Sequence, residues 1–255
     1  MRRVFVADTL IPGQSLVVDG QTGHHFARVL RLEVGETLVV SGANGPHAAV
    51  AVSVDGKAGT ATLAIGDPTP RRDPKVRLLI VQAMAKGDKV DEVVQRTTEL
   101  GVWAVWVVAM ERTVGRLTAD RARAKVIRWQ RIAEEAASQS QRDVVPQVAY
   151  YRSAQDLQTP LARLTAHRVL LLDERETKRG IRQALNYSFS EDEQWAGPVV
   201  LVVGPEGGFS DAERAWWADT FLAQSVTLGG RILRTETAGL VAAAAVFCET
   251  GELGG

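Results

Sequence analysis

The chain has 255 residues, 45% of them hydrophobic and 24% charged, which provides for a real core and excludes a disorder-dominated chain. Lysine plus arginine equal aspartate plus glutamate, so the zero net charge excludes a protein that coats nucleic acid through a global field. A single cysteine, Cys248, excludes an internal disulfide and a cysteine-based metal site, and there is neither a membrane-length apolar run nor a signal-peptide pattern; a cytoplasmic protein without membrane contact or metal is expected.

Residues 1–70 read as a small β domain. Short apolar stretches (Ser15–Val18, Thr37–Val40, Ala48–Val54, Thr60–Ile65) are separated by the turn signals Asp19-Gly20, Val34-Gly35, Asn44-Gly45 and Asp55-Gly56. A helical piece, His24–Arg31, interrupts them, and the spacing suggests a compact barrel. Arg28 and Arg31 lie one turn apart, placed either to meet phosphate or to form a solvated face. Three prolines between Asp67 and Pro74 stiffen a linker, and the domain boundary is expected there, with the second domain running over 75–255.

Beyond Lys75 the pattern alternates. Val76–Val81, Val102–Met110, Val169–Leu172 and Val199–Val203 are nearly unbroken apolar runs, as strands buried on both faces should be. Asp88–Leu100 carries an apolar stripe stopped by Gly101, and Arg121–Gln141 is a longer amphipathic helix. The fold class is α/β with a mostly parallel sheet. Basic residues concentrate locally: Arg112, Arg116, Arg121, Arg123, Lys125, Arg128 and Arg131 face only Asp120 in their segment, and Arg175, Lys178, Arg179 and Arg182 form a second cluster. Such runs are solvated helix faces or docking patches for a structured RNA.

Two glycine-rich motifs follow. Val199–Val203 ends abruptly at Gly204-Pro-Glu-Gly-Gly-Phe-Ser210, and Ser210 with Glu213 forms a capping box that starts a helix. The first loop therefore sits at the carboxyl end of a buried strand, where open α/β sheets place ligands. A second loop, Leu228-Gly-Gly-Arg-Ile-Leu-Arg-Thr235, leads into a helix of small residues. A strand–loop–helix turn alone is often only a connection, but two such loops close together suggest one pocket lined by backbone.

These motifs, with Lys86-Gly-Asp-Lys, Thr98-Glu-Leu-Gly101, Glu111-Arg-Thr and Arg128-Trp-Gln-Arg-Ile-Ala-Glu-Glu-Ala, resemble the bacterial 16S ribosomal RNA uracil-N3 methyltransferases of the knotted SPOUT class. The resemblance covers nearly the whole chain; one departure is Gly230, where proline is usual in the family. It implies a PUA-like RNA-binding domain over 1–70, a C-terminal trefoil knot, a homodimer, and S-adenosylmethionine as cofactor. The cofactor is then expected on Gly204, Pro205, Glu206, Gly207 and Gly208 of the first loop. Leu228, Gly229, Ile232, Leu233 and Thr235 of the second loop complete its site, with Leu172 at a neighbouring strand end. The implied partner is 16S ribosomal RNA in the small subunit or its assembly intermediate.

The sulfonium donor is already activated, so the protein mainly aligns donor and acceptor. Charge developing on the uracil imide calls for a guanidinium or backbone donors; Arg112 and Arg234 are the expected catalytic side chains, with RNA binding as the other role open to Arg112. A salt bridge to Glu236 is the plain alternative for Arg234. Arg28, Arg31, Lys86, Arg116 and Arg128 are expected to contact RNA. A methyltransferase acting on another ribosomal or transfer RNA nucleotide, and a non-catalytic RNA-binding protein, remain as alternatives.

Overall fold

The computed structural model describes residues 2–24, 26–27, 32–113, 115–164, 168–185 and 197–254. Arg28 and Arg31 lie outside the described residues. The chain divides into two compact units, Met1–Asp73 with Ala137–Val145, and Pro74–Ala136 with Pro146–Gly255.

The first unit is built on a five-stranded sheet in the order β1-β3-β4-β5-β2. Its strands are β1 (Arg2–Phe5), β2 (Ser15–Val18), β3 (Thr37–Gly42), β4 (Gly45–Asp55) and β5 (Thr60–Pro68), with the short helix α1 (Gly20–His24) after β2. The β1–β3 pair is parallel, and the other pairs are antiparallel. Alternating residues such as Leu16, Val18, Leu38, Val40, Leu63 and Ile65 form its core around Phe26. Strand β1 escapes the sequence pattern because Arg3 sits at a buried position. Its guanidinium is bonded to the buried Asp143 carboxylate, which also accepts from the backbone N–H of Asp73 at 3.1 Å. A buried charge is tolerable only when paired in this way.

The second unit is a six-stranded, wholly parallel sheet in the order β11-β9-β10-β6-β7-β8. Four of its strands, β6 (Leu78–Ala83), β7 (Ala104–Val108), β9 (Arg168–Leu172) and β10 (Val199–Val203), fall on the four apolar runs. The other two, β8 (Gln147–Tyr151) and β11 (Gln224–Val226), are edge strands with polar or aromatic residues and lack that signal. The helices are α2 (Lys89–Leu100), α3 (Ala119–Gln139), α4 (Gln158–Ala162), α5 (Ile181–Leu185), α6 (Asp211–Phe221) and α7 (Thr235–Glu249).

The period-two pleat divides the sheet side chains between two layers. Leu79, Val81, Trp106, Val108, Leu171 and Val202 pack with Leu157, Leu161, Phe209 and Trp217. On the opposite face α7 lies directly on β10 and β6. A Cβ built on Gly239 would stand 3.3 Å from Val203 Cγ2 and 3.9 Å from Ile80 Cγ2, so the helix approaches as closely as its small residues allow. Register brings Gln82, Val203, Leu172 and Val226 to one rank at the carboxyl ends of four adjacent strands. β10 is inserted between β9 and β6, so the order of strands reverses beside that rank, where α/β sheets hold ligands.

Gly239→Val should push α7 off β10 and destabilise the second unit by about 1–3 kcal/mol, the usual cost of overpacking a filled core. Urea unfolding followed by tryptophan fluorescence measures it; unchanged stability would show that the helix has room to move.

Candidate functional site

A cavity of about 480 Å³ opens at this rank of strand ends. Every residue assigned from the sequence to cofactor binding lines it: Leu172, the loop Gly204–Gly208, and Leu228, Gly229, Ile232, Leu233 and Thr235. Arg234 lines it as well.

Local chemistry holds the first loop in place. Ser210 caps α6, its hydroxyl accepting from Glu213 N–H at 3.1 Å while the Glu213 carboxylate accepts from Ser210 N–H at 3.0 Å. The second Glu213 oxygen accepts from Glu111 N–H at 2.8 Å, joining the segment after β7 to the start of α6. Gly208 has φ +66°, a left-handed conformation that favours glycine, and a Cβ there would also displace the Glu174 carboxylate.

The two loops are tied by a buried polar chain. Gln82 Nε2 donates to Thr235 Oγ1 at 2.9 Å, and Thr235 Oγ1 donates to the Gly204 carbonyl at 2.8 Å. Lys89 makes a second tie, its ammonium lying 3.0 Å from Glu206 Oε1 and 3.5 Å from Glu236 Oε2. The Glu206 bond is the main cause that raises the Lys89 pKa. Burial works to raise the Glu206 pKa, but its own backbone N–H, Lys89 and the Lys86 N–H prevail, and the net shift is downward. Glu206 is therefore ionised at neutral pH.

On the other side of the cavity Arg214 clamps Asp173. Its Nε and Nη2 donate to the two carboxylate oxygens at 2.7 and 3.0 Å, and Nη1 donates to the Phe209 carbonyl at 2.6 Å. Burial favours the neutral acid at Asp173, yet Arg214, the Arg175 N–H and Ser225 together hold its pKa below the ordinary value. The clamp joins the end of β9, the first loop and α6.

The expected catalytic arginines occupy different positions. Arg112 is outside the cavity lining but donates from Nη1 to the Gly207 carbonyl at 2.9 Å, which puts it on the first loop. Arg234 is 83% exposed and 4.0 Å from Glu236, a contact too long and too solvated to occupy it fully. Among the residues expected to contact RNA, Lys86 and Arg116 are exposed, before α2 and α3 respectively. Arg128 Nη2 lies 2.5 Å from Asp91 Oδ2, and Asp91 also accepts from the buried Trp129 indole at 2.8 Å, so this arginine has a structural partner.

Lys89 and Arg214 were not singled out from the sequence. Lys89 is an ordinary first-turn helix residue by pattern, and Arg214 is one helical turn past a cap. Only the acids they serve, the buried Asp173 for Arg214 and the rim Glu206 for Lys89, reveal them.

A parallel α/β sheet whose strand-end cavity is walled by two glycine-bearing loops defines a protein that presents main chain to a nucleotide-sized ligand. Residues 72–247 match the model of the RNA methyltransferase domain. Ribosomal RNA small subunit methyltransferase E of Bacillus subtilis is 31% identical over 261 residues, covering 100% of this chain and 99% of that protein. The protein of the same name from Mycobacterium bovis is 34% identical, covering 95% of this chain and 90% of its own. The crystal structure of a ribosomal RNA small subunit methyltransferase E from Neisseria gonorrhoeae bound to S-adenosyl methionine superposes with a TM-score of 0.76 at 28% identity, covering 97% of each chain. The chain belongs to this RNA methyltransferase family.

Arg214→Met should leave the buried Asp173 carboxylate unpaired and destabilise the fold by about 3 kcal/mol at neutral pH. In the native protein the lowered Asp173 pKa gives stability that is present above the ordinary aspartate range and lost as pH falls through the folded value. In the variant burial, the largest influence on this carboxyl, would be opposed only by the Arg175 N–H and Ser225, so its pKa should rise and the deficit should shrink on acidification as the carboxyl protonates. Urea unfolding at neutral and mildly acidic pH tests this; a deficit independent of pH would assign Arg214 a packing role only.

Proposed function

We propose that this chain is an S-adenosylmethionine-dependent methyltransferase that methylates N3 of a uridine in 16S ribosomal RNA of the small subunit. The observation that carries the reading is the cavity walled by both glycine loops within the matched methyltransferase domain. Its volume suits a nucleoside-sized cofactor, since such pockets run from about 300 to 1,000 Å³. Leu172, Leu228, Ile232 and Leu233 provide apolar walls for an adenine ring, and the glycine loops provide main-chain donors and acceptors for its edge and the ribose. When bound, the cofactor supplies an activated methyl group. The protein then has to orient the base, exclude water and stabilise negative charge on the imide.

In this reading Arg112 and Arg234 stand beside the reacting base. Lys86 and Arg116, with Arg28 and Arg31 of the first unit, meet the RNA backbone, and Arg128 does so with the exposed part of the guanidinium that it shares with Asp91. The target base leaves its stack to enter the site, as bases modified by enzymes do. Residues 1–70, which share the first unit with residues 137–145, serve as a PUA-like RNA-binding domain, and the rest of residues 75–255, in the second unit, serves as the SPOUT domain. Insertion of β10 between β9 and β6 suits a trefoil knot. The outer face of α7, where Val241 is 40% exposed, suits a subunit interface in a homodimer. No described helix is long and apolar enough to cross a membrane, and a ribosomal substrate implies work in the cytoplasm.

The test is methyl transfer from labelled S-adenosylmethionine to small subunits, and to their naked 16S RNA, from cells lacking this protein, followed by nucleoside mass spectrometry. The expected product is 3-methyluridine at one position. Label on another nucleotide would refute the assigned target, and no label in either substrate would refute the activity.

A further inference from the structure

The cavity rim carries a charge pattern that the cofactor does not need. Glu206 interrupts a loop otherwise made of glycine and proline, and its side chain is 37% exposed at the mouth of the cavity. Main-chain contacts to the cofactor leave this carboxylate no use beyond its tie to Lys89, and a phosphate ligand would be repelled by it. One cation, Lys89, is bonded to the carboxylate itself, and another, Arg112, is held on the carbonyl of the next residue, Gly207. The rim thus presents an ionised acceptor with one donor bonded to it, and a second donor is held on the same loop just outside the cavity lining.

The imide edge of uracil presents a donor, N3–H, between two carbonyl acceptors. Cytosine presents an acceptor at N3 and a donor at N4, which would set a ring lone pair against the carboxylate. We propose that Glu206 accepts the N3 proton of the target uracil while Lys89 and Arg112 bind its flanking carbonyl oxygens, so that one cluster both selects uracil and removes the proton that methylation displaces. This rests on the methyltransferase reading above.

The step balances. The N3–H bond breaks with its proton passing to a Glu206 oxygen, N3 bonds to the methyl carbon, and the methyl–sulfur bond breaks, its electron pair leaving the sulfur neutral as a thioether. The proton then leaves to water from an exposed carboxyl. A carboxylate with a lowered pKa is adequate because the N3 proton becomes far more acidic as the methyl bond forms. The cations stabilise charge on the carbonyl oxygens in the transition state, where such contacts count most. The charged groups around Glu206 are Lys89 of α2, Arg112 from the segment after β7, and Glu236 of α7 across Lys89.

The experiment compares the full-length protein with Glu206→Gln and Glu206→Asp on small-subunit RNA over a range of pH, with cofactor affinity measured separately by calorimetry. Wild-type formation of 3-methyluridine is the control for the parent reading; if it fails, that reading fails, whatever the variants do. Given that control, Glu206→Gln should lower kcat by about 10²–10⁴-fold with little change in cofactor affinity or RNA KM, the usual range for losing a general base. Its deficit should narrow at alkaline pH, where uracil N3 ionises without help. Glu206→Asp, which keeps the charge, should recover part of the rate and the wild-type pH profile. A Glu206→Gln enzyme with wild-type kcat overturns the proposal. So does a deficit that is the same at every pH, or one that follows a matching loss of cofactor affinity; either would make Glu206 a support of the loop.

Discussion

The site depends on one buried hydroxyl. Thr235 accepts from Gln82 and donates to the Gly204 carbonyl, so a single oxygen links the end of β6, the loop after β10 and the first residue of α7. Both Gln82 and Thr235 are buried. A hydrogen bond of this kind contributes only about 1 kcal/mol net, but leaving its partners unsatisfied costs about 1–3 kcal/mol. The chain therefore specifies the loop arrangement more than it stabilises the fold. Close packing of α7 through Gly239 fixes the donor end of the same arrangement.

Around that link the charges form two separate groups. The Asp173–Arg214 pair is mostly buried and braces the wall from β9 and α6. The Lys89–Glu206–Glu236 group is more exposed and stands at the opening. A buried bidentate pair resists solvent screening, whereas the rim group remains able to exchange partners with a ligand or with water. That division suits a rigid pocket with a reactive edge.

How much of this could be read beforehand follows from what each signal requires. Strands β6, β7, β9 and β10 are legible because burial on both faces leaves unbroken apolar runs. The capping box at Ser210 and Glu213 is local and forms as its spacing implies. Strand β1 is hidden because Arg3 is buried against Asp143, a partner 140 residues away. β8 and β11 are hidden because edge strands need only a half-apolar pattern. At the site, the two loops announce themselves by glycine, while Arg214 and Lys89 do not, since their importance lies in carboxylates brought near by the sheet. The basic helix α3 shows the converse case. Arg128 reads as free charge in the sequence, but folding supplies Asp91 as its partner.

The central claim is that the Thr235 hydroxyl makes the two glycine loops one binding surface, and calorimetric titration of Thr235→Val with S-adenosylmethionine tests it most directly. Valine keeps the shape and removes the hydroxyl. Affinity should fall by about tenfold, the equivalent of about 1.4 kcal/mol, while Thr235→Ser stays near the wild type. A valine variant that folds and binds the cofactor as tightly as the wild type would contradict the account.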